Sequence, residues 1–82
     1  MIAESLEKFL LTEVAVGFEG KSLGPDEDLL EQGLIDSLGM MKLIVFIEET
    51  SGITVNDEEI IPDNFQTLNS MVKFIEQKMQ NK

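Results

Sequence analysis

Apolar residues recur at helical spacing in three stretches of the chain. From Ile2 to Val14 they fall at Ile2, Leu6, Phe9, Leu10 and Val14, with Glu4, Glu7, Lys8 and Glu13 on the other side, which predicts an amphipathic first helix. A second pattern predicts a helix from about Ser37 to Thr50, closed by Ser51-Gly52, because glycine accepts the left-handed backbone that ends many helices. On that helix Met40, Leu43, Ile44 and Ile47 make a wholly apolar stripe, read as core. Opposite them stand Leu38, Met41, Lys42, Val45, Glu48 and Glu49. A third pattern, Leu68, Met71, Val72, Ile75 and Met79, turns Lys73, Glu76, Gln77 and Lys78 outward and starts after Thr67, a residue suited to an N-cap.

The connections read differently. Gly17, Gly20, Gly24, Pro25 and Gly33 punctuate Val16 to Ile35, and each is a natural turn residue. A loop of this length is uncommon in a compact domain without anchors of its own, so Phe18, Leu23, Leu29 and Leu30 are expected to hold it down, with one helical turn over Asp26 to Leu30. Ile53-Thr54-Val55 alternates like a strand but has no partner strand, and is read as an extended connector. Asp57-Glu58-Glu59-Ile60-Ile61 places acids at a helix N-terminus, with Pro62 ending that element after about one turn. Phe65 is expected to plug the bundle. The expected fold is all-α: a small four-helix bundle of three main helices and a short third one, with a long loop between helices one and two. No repeat or second domain is visible, so residues 1–82 read as a single domain.

Charge narrows the function. Sixteen acids against six bases, a net charge of −10, disfavour nucleic acid, whose phosphates need clustered Lys and Arg, and anionic membrane surfaces likewise. They favour steering toward basic patches on protein partners. No apolar run approaches the roughly 20 residues of a membrane span, and the start of the chain has no leader pattern, so a soluble cytoplasmic monomer is expected.

The chain contains no cysteine and no histidine, which removes a thiolate nucleophile, a cysteine-based zinc site and a Ser-His-Asp triad. Ser37-Leu38-Gly39 is not a nucleophile elbow, because Ile35 stands where glycine is required and no strand precedes it. An EF-hand loop opened by Asp28 would put Gly33 at the sixth position. The third and twelfth would then be Leu30 and Gly39, which cannot ligate through a side chain. The pairs Glu48-Glu49 and Glu58-Glu59 read as solvated surface. No metal or catalytic residue is therefore assigned.

What stands out is Gly33-Leu34-Ile35-Asp36-Ser37-Leu38. Asp36-Ser37 is a helix start, and on the plain reading Ser37 is a capping residue. A serine at a helix N-terminus can also be a substrate, because unpaired N–H groups and the positive end of the macrodipole tolerate an attached phosphate. Likewise the mixed face of the second helix either packs beneath the long loop or docks partners through adaptable methionine and a rim of charge.

Asp28-Leu29-Leu30-Glu31-Gln32-Gly33-Leu34-Ile35-Asp36-Ser37-Leu38 resembles the signature of the acyl carrier and peptidyl carrier protein superfamily. Glu48-Glu49, Gly52-Ile53, Val55 to Glu59 and Pro62 to Leu68 extend the likeness over about residues 28–75. The resemblance implies that Ser37 receives 4′-phosphopantetheine from coenzyme A through a phosphopantetheinyl transferase, with Asp36 presenting it. The thiol of that arm would carry an acyl or aminoacyl group as a thioester between partner enzymes. Leu38, Met41, Lys42, Val45, Glu48 and Glu49 would be the partner face, and the chain itself would not be an enzyme. Carriers of fatty acid synthesis in this superfamily continue the serine motif with acids where this chain has Gly39 and Lys42. The resemblance thus points to a specialised carrier with a dedicated ligase, acyltransferase or ketosynthase, in fatty-acid, polyketide or related biosynthesis. The alternative is an acidic helical adaptor in which Ser37 only caps a helix.

Overall fold

The computed structural model describes residues 2–14 and 24–80; the expected loop anchors Phe18 and Leu23 lie outside them. Helix α1 (Ile2–Phe9) continues into a π-helical turn, Leu10–Val14. The widening coincides with Thr12, whose Oγ1 donates to the Lys8 carbonyl at 2.8 Å, a local bond that competes with the regular ladder. Helix α2 (Ser37–Ser51) ends at Gly52, whose φ of 72° lets its N–H reach the Glu48 carbonyl at 2.9 Å. Helix α3 (Pro62–Phe65) is one turn, and α4 (Leu68–Gln80) closes the chain's helical order.

Thirteen buried apolar side chains form one core: Leu6 and Leu10 from the first helical run, Leu29 and Ile35 from the loop, Leu43 and Ile47 from α2, then Ile53, Val55, Phe65, Leu68, Met71, Phe74 and Ile75. The expected plug, Phe65, is fully buried and lies 5.4 Å, centroid to centroid, from the tilted ring of Phe74. Phe9 and Phe46 stack at 4.3 Å and join α1 to α2. Among the described residues no polar side chain is buried and no strand forms. Ile53 and Val55 are buried around exposed Thr54, so the connector alternates as a strand would while pairing with nothing. The architecture is the expected small four-helix bundle.

Three local expectations need correction. The helical turn of the loop lies not at Asp26–Leu30 but a few residues on, over 29–33, because Asp28 acts as its cap: Oδ1 accepts from Glu31 N–H at 2.8 Å, and Gly33, with φ of 73°, ends it. The acidic segment after Asn56 makes only a 3-10 turn, Asp57–Glu59, and the short α-helix begins at Pro62 instead of ending there. Proline suits the first helical position, where its missing N–H would have had no partner. Lys78 and Met79 exchange their expected environments: Met79 is exposed, whereas Lys78 Nζ bonds both Glu59 carboxylate oxygens at 2.8 and 3.0 Å. At Thr67 the expectation is met with an added partner, as Ser70 N–H donates to Thr67 Oγ1 and Thr67 N–H to Ser70 Oγ, each at 3.0 Å.

Candidate functional site

The segment leading into α2 is fixed from both sides. Upstream, Leu29 N–H donates to the Gln66 carbonyl at 2.8 Å, and Gln66 Nε2 returns a bond to Asp28 Oδ2 at 2.5 Å. Asn69 adds two more, from its backbone N–H to the Pro25 carbonyl and from Nδ2 to Asp26 Oδ1, both at 2.9 Å. The loop acids therefore bind protein donors at the α3–α4 junction. The Gln66 amide, and after it the Glu31 N–H, holds the Asp28 carboxyl below its ordinary value by favouring the ionised form.

Downstream, Ile35 is buried in the core while Asp36, Ser37 and Leu38 are all exposed. Asp36 has extended backbone, and its Oδ1 accepts from Gly39 N–H at 2.7 Å. Asp36 is thus the N-cap of α2, and Ser37 is its first helical residue. This corrects the plain reading of Ser37 as the cap: the neighbour has that role. The Ser37 hydroxyl has no hydrogen-bond partner among the described residues. It stands at the positive end of a fifteen-residue helix, in the first turn, where backbone N–H groups lack intrahelical acceptors. An open depression of about 530 Å³, lined by Leu30, Ile35, Asp36, Ser37 and Met40, adjoins it.

Gly39 explains how the first turn of α2 is seated. A Cβ there would lie 2.8 Å from Val14 Cγ1 and 3.1 Å from Asp36 Oδ1. The end of the first helical run therefore presses directly on the backbone beneath Ser37, and a side chain at position 39 would require Val14 or Asp36 to shift.

The proposed partner face divides. Leu38, Met41 and Val45 are 62%, 65% and 52% exposed, and Lys42 and Glu49 are exposed beside them. These side chains do not pack beneath the described part of the loop. Glu48 departs from the group: it is half-buried, and its Oε2 accepts from Val55 N–H at 2.9 Å, tying α2 to the connector that follows. No group of three or more metal-ligating side chains occurs among the described residues, and none of their helices is long and apolar enough to cross a membrane.

The fold is thus an acidic helical bundle with an exposed, unbonded serine on the first turn of its second helix. Comparison with known proteins makes this specific: residues 11–75 match the family described as "Phosphopantetheine attachment site", and the chain belongs to that family. It is 32% identical over 74 residues to the probable acyl carrier protein PigG of a Serratia species, covering 87% of this chain and 85% of that one. It is 44% identical over 48 residues to a D-alanyl carrier protein of Bacillus velezensis, covering 58% of this chain and 62% of the relative's length. Among solved structures, a holo acyl carrier protein from Nitrosomonas europaea superposes with a TM-score of 0.77 at 28% identity, over 95% of both chains. A chain in a crystal structure of an FAD-dependent dehydrogenase superposes at 0.74 and 29% identity, over 85% of this chain and 97% of that one. The protein is a carrier with a covalently attached phosphopantetheine.

Proposed function

We propose that Ser37 is the attachment residue and that the chain carries an acyl or aminoacyl group between the enzymes that load and use it. The observation that carries this reading is the separation of duties at the start of α2: Asp36 caps the helix, leaving the Ser37 hydroxyl exposed and unbonded. In the transfer, catalysed by a phosphopantetheinyl transferase, Ser37 Oγ forms the new bond to phosphorus. The bond from that phosphorus to adenosine bisphosphate breaks, and the hydroxyl proton passes to a base of the transferase. The N-terminal dipole of α2 then faces the phosphodiester. Asp36 keeps the first turn in register and presents Ser37. When bound, the arm supplies a terminal thiol that holds cargo as a thioester.

Leu38, Met41, Lys42, Val45 and Glu49 form the docking face, with Glu48 at its edge as a structural carboxylate. The partners on this reading are the transferase and a ligase, acyltransferase or ketosynthase of fatty-acid, polyketide or related biosynthesis. The likeness to a chain in the dehydrogenase crystal supports adding a flavin enzyme. The protein acts as their substrate, not as an enzyme, and works in the cytoplasm as a monomer; its net charge of −10 opposes self-association.

Coexpression with a promiscuous transferase, followed by intact-mass measurement, tests the assignment. The wild-type chain should gain one phosphopantetheine and Ser37→Ala none. An unmodified wild type, or a modified Ser37→Ala, would overturn it.

A further inference from the structure

We infer that the depression beside Ser37 is a seat for the pantoyl portion of the attached arm, held between Leu30, Ile35 and Met40; this rests on the reading of Ser37 as the attachment residue. The arm's own chemistry limits where that portion can lie. Its branched apolar centre, a carbon bearing a pair of methyl groups, is separated from the attachment oxygen only by the phosphate and one methylene. Wherever the thiol end goes, these methyls stay close to Ser37, and leaving them in water is unfavourable.

Two apolar surfaces adjoin the serine. One is the open depression of about 530 Å³, of which Ser37 is itself a wall. The other is the exposed face of α2 that begins at Leu38 and Met41. Successive helical positions turn by about 100°, so Met40 lies about 60° from Ser37 to one side while Leu38 and Met41 lie to the other. The depression is concave, and its walls are already in place. Leu30 belongs to the turn over 29–33, closed by bonds from Gly33 N–H to the Leu30 carbonyl at 3.1 Å and from Leu34 N–H to the Leu29 carbonyl at 3.0 Å. Ile35 is 7% exposed. Met40 is half-buried, and its flexible thioether fits itself to what it covers. Walls fixed in advance need little ordering when a group settles against them. A convex helix face covers such a group on one side only. The grooves along the first helical run and against α4 do not include Ser37. An arm seated toward Met40 leaves Leu38, Met41 and Val45 open to a partner enzyme.

The test uses the full chain, made holo by the promiscuous transferase with coenzyme A whose pantoyl methyls are isotope-labelled. Intact mass first establishes the modification; an unmodified wild type would overturn the Ser37 assignment and this inference with it. On the holo protein, nuclear Overhauser effects should link the pantoyl methyls to Leu30, Ile35 and Met40. Met40→Gln keeps the side chain's length but removes apolar contact equal to about one methylene, so the ratio of seated to free arm, read from the pantoyl methyl shifts, should fall about fourfold. Met40→Leu should keep the wild-type ratio. In the wild-type holo protein, pantoyl methyls with the shift and mobility of free coenzyme A, or contacts to Leu38, Met41 and Val45 instead, would overturn the inference and leave the Ser37 assignment standing. An unchanged ratio in Met40→Gln would do the same.

Discussion

Replacing Gly39 by alanine sets two effects of similar size against each other. In an open helix, Gly→Ala stabilises by about 1 kcal/mol because alanine loses less backbone freedom. Here the new Cβ meets Val14 Cγ1 at 2.8 Å and Asp36 Oδ1 at 3.1 Å, whereas carbon atoms prefer roughly 3.5–4.0 Å. Valine is stiff at χ1 and cannot swing away, and overpacking of this kind costs about 1–3 kcal/mol. The expected net effect is a loss of about 0–2 kcal/mol, or a fall in Tm of up to roughly 10 °C for a domain of this size. Urea denaturation followed by far-UV circular dichroism measures it, with Val14→Ala supplying the second arm of a cycle. In the Val14→Ala background the same Gly39→Ala change should turn stabilising by about 1 kcal/mol, giving a coupling of about 1–3 kcal/mol. Equal effects in both backgrounds would refute the close approach of the first helical run to α2.

Asp36→Ala should lose about 0.5–2 kcal/mol with the cap, while Ser37→Ala should stay within about 0.5 kcal/mol of wild type; comparable losses in thermal melts of the two variants would contradict the division of duties between them. Asp28 and Glu59 both titrate below their ordinary values, Asp28 chiefly through Gln66 and Glu59 chiefly through Lys78. Since the folded-state values are the lower ones, their stabilisation is complete above the normal carboxylate range and is lost as pH falls through it to the depressed values. Denaturant midpoints should therefore drop less steeply in acid for Asp28→Asn and Glu59→Gln than for wild type, and unchanged slopes would be contrary. Phe65→Ala removes a fully buried ring and should lose about 3–5 kcal/mol, read as a large shift in urea midpoint; a near-neutral result would deny its place in the core.

Elements set by local chemistry were legible in the sequence. The bounds of α2, the left-handed Gly52 and the Thr67 cap all follow from residues within one or two turns. What escaped depends on partners distant along the chain. Phe46 and Phe74 fell outside the apolar stripes drawn for α2 and α4, because their positions answer to Phe9 and Phe65 on other elements. The helical period turns Lys78 to solvent because Glu59, nineteen residues earlier, is invisible to it. Pro62 can end one helix or open the next, and here it opens α3. At the candidate site the motif singles out Asp36 and Ser37 but gives the cap to Ser37, whereas the geometry gives it to Asp36, whose Oδ1 accepts from Gly39 N–H.

The clasp between Asp28 and Gln66 spans 38 residues, and that between Asp26 and Asn69 spans 43. Both partners of each pair lie on opposite sides of α2, so on the ribosome Ser37 emerges well before its surroundings can close. The serine acquires its finished setting only after residues 66–69 have been synthesised and have folded back against the loop. The two clasps thus tie the setting of Ser37 to residues that are made well after it.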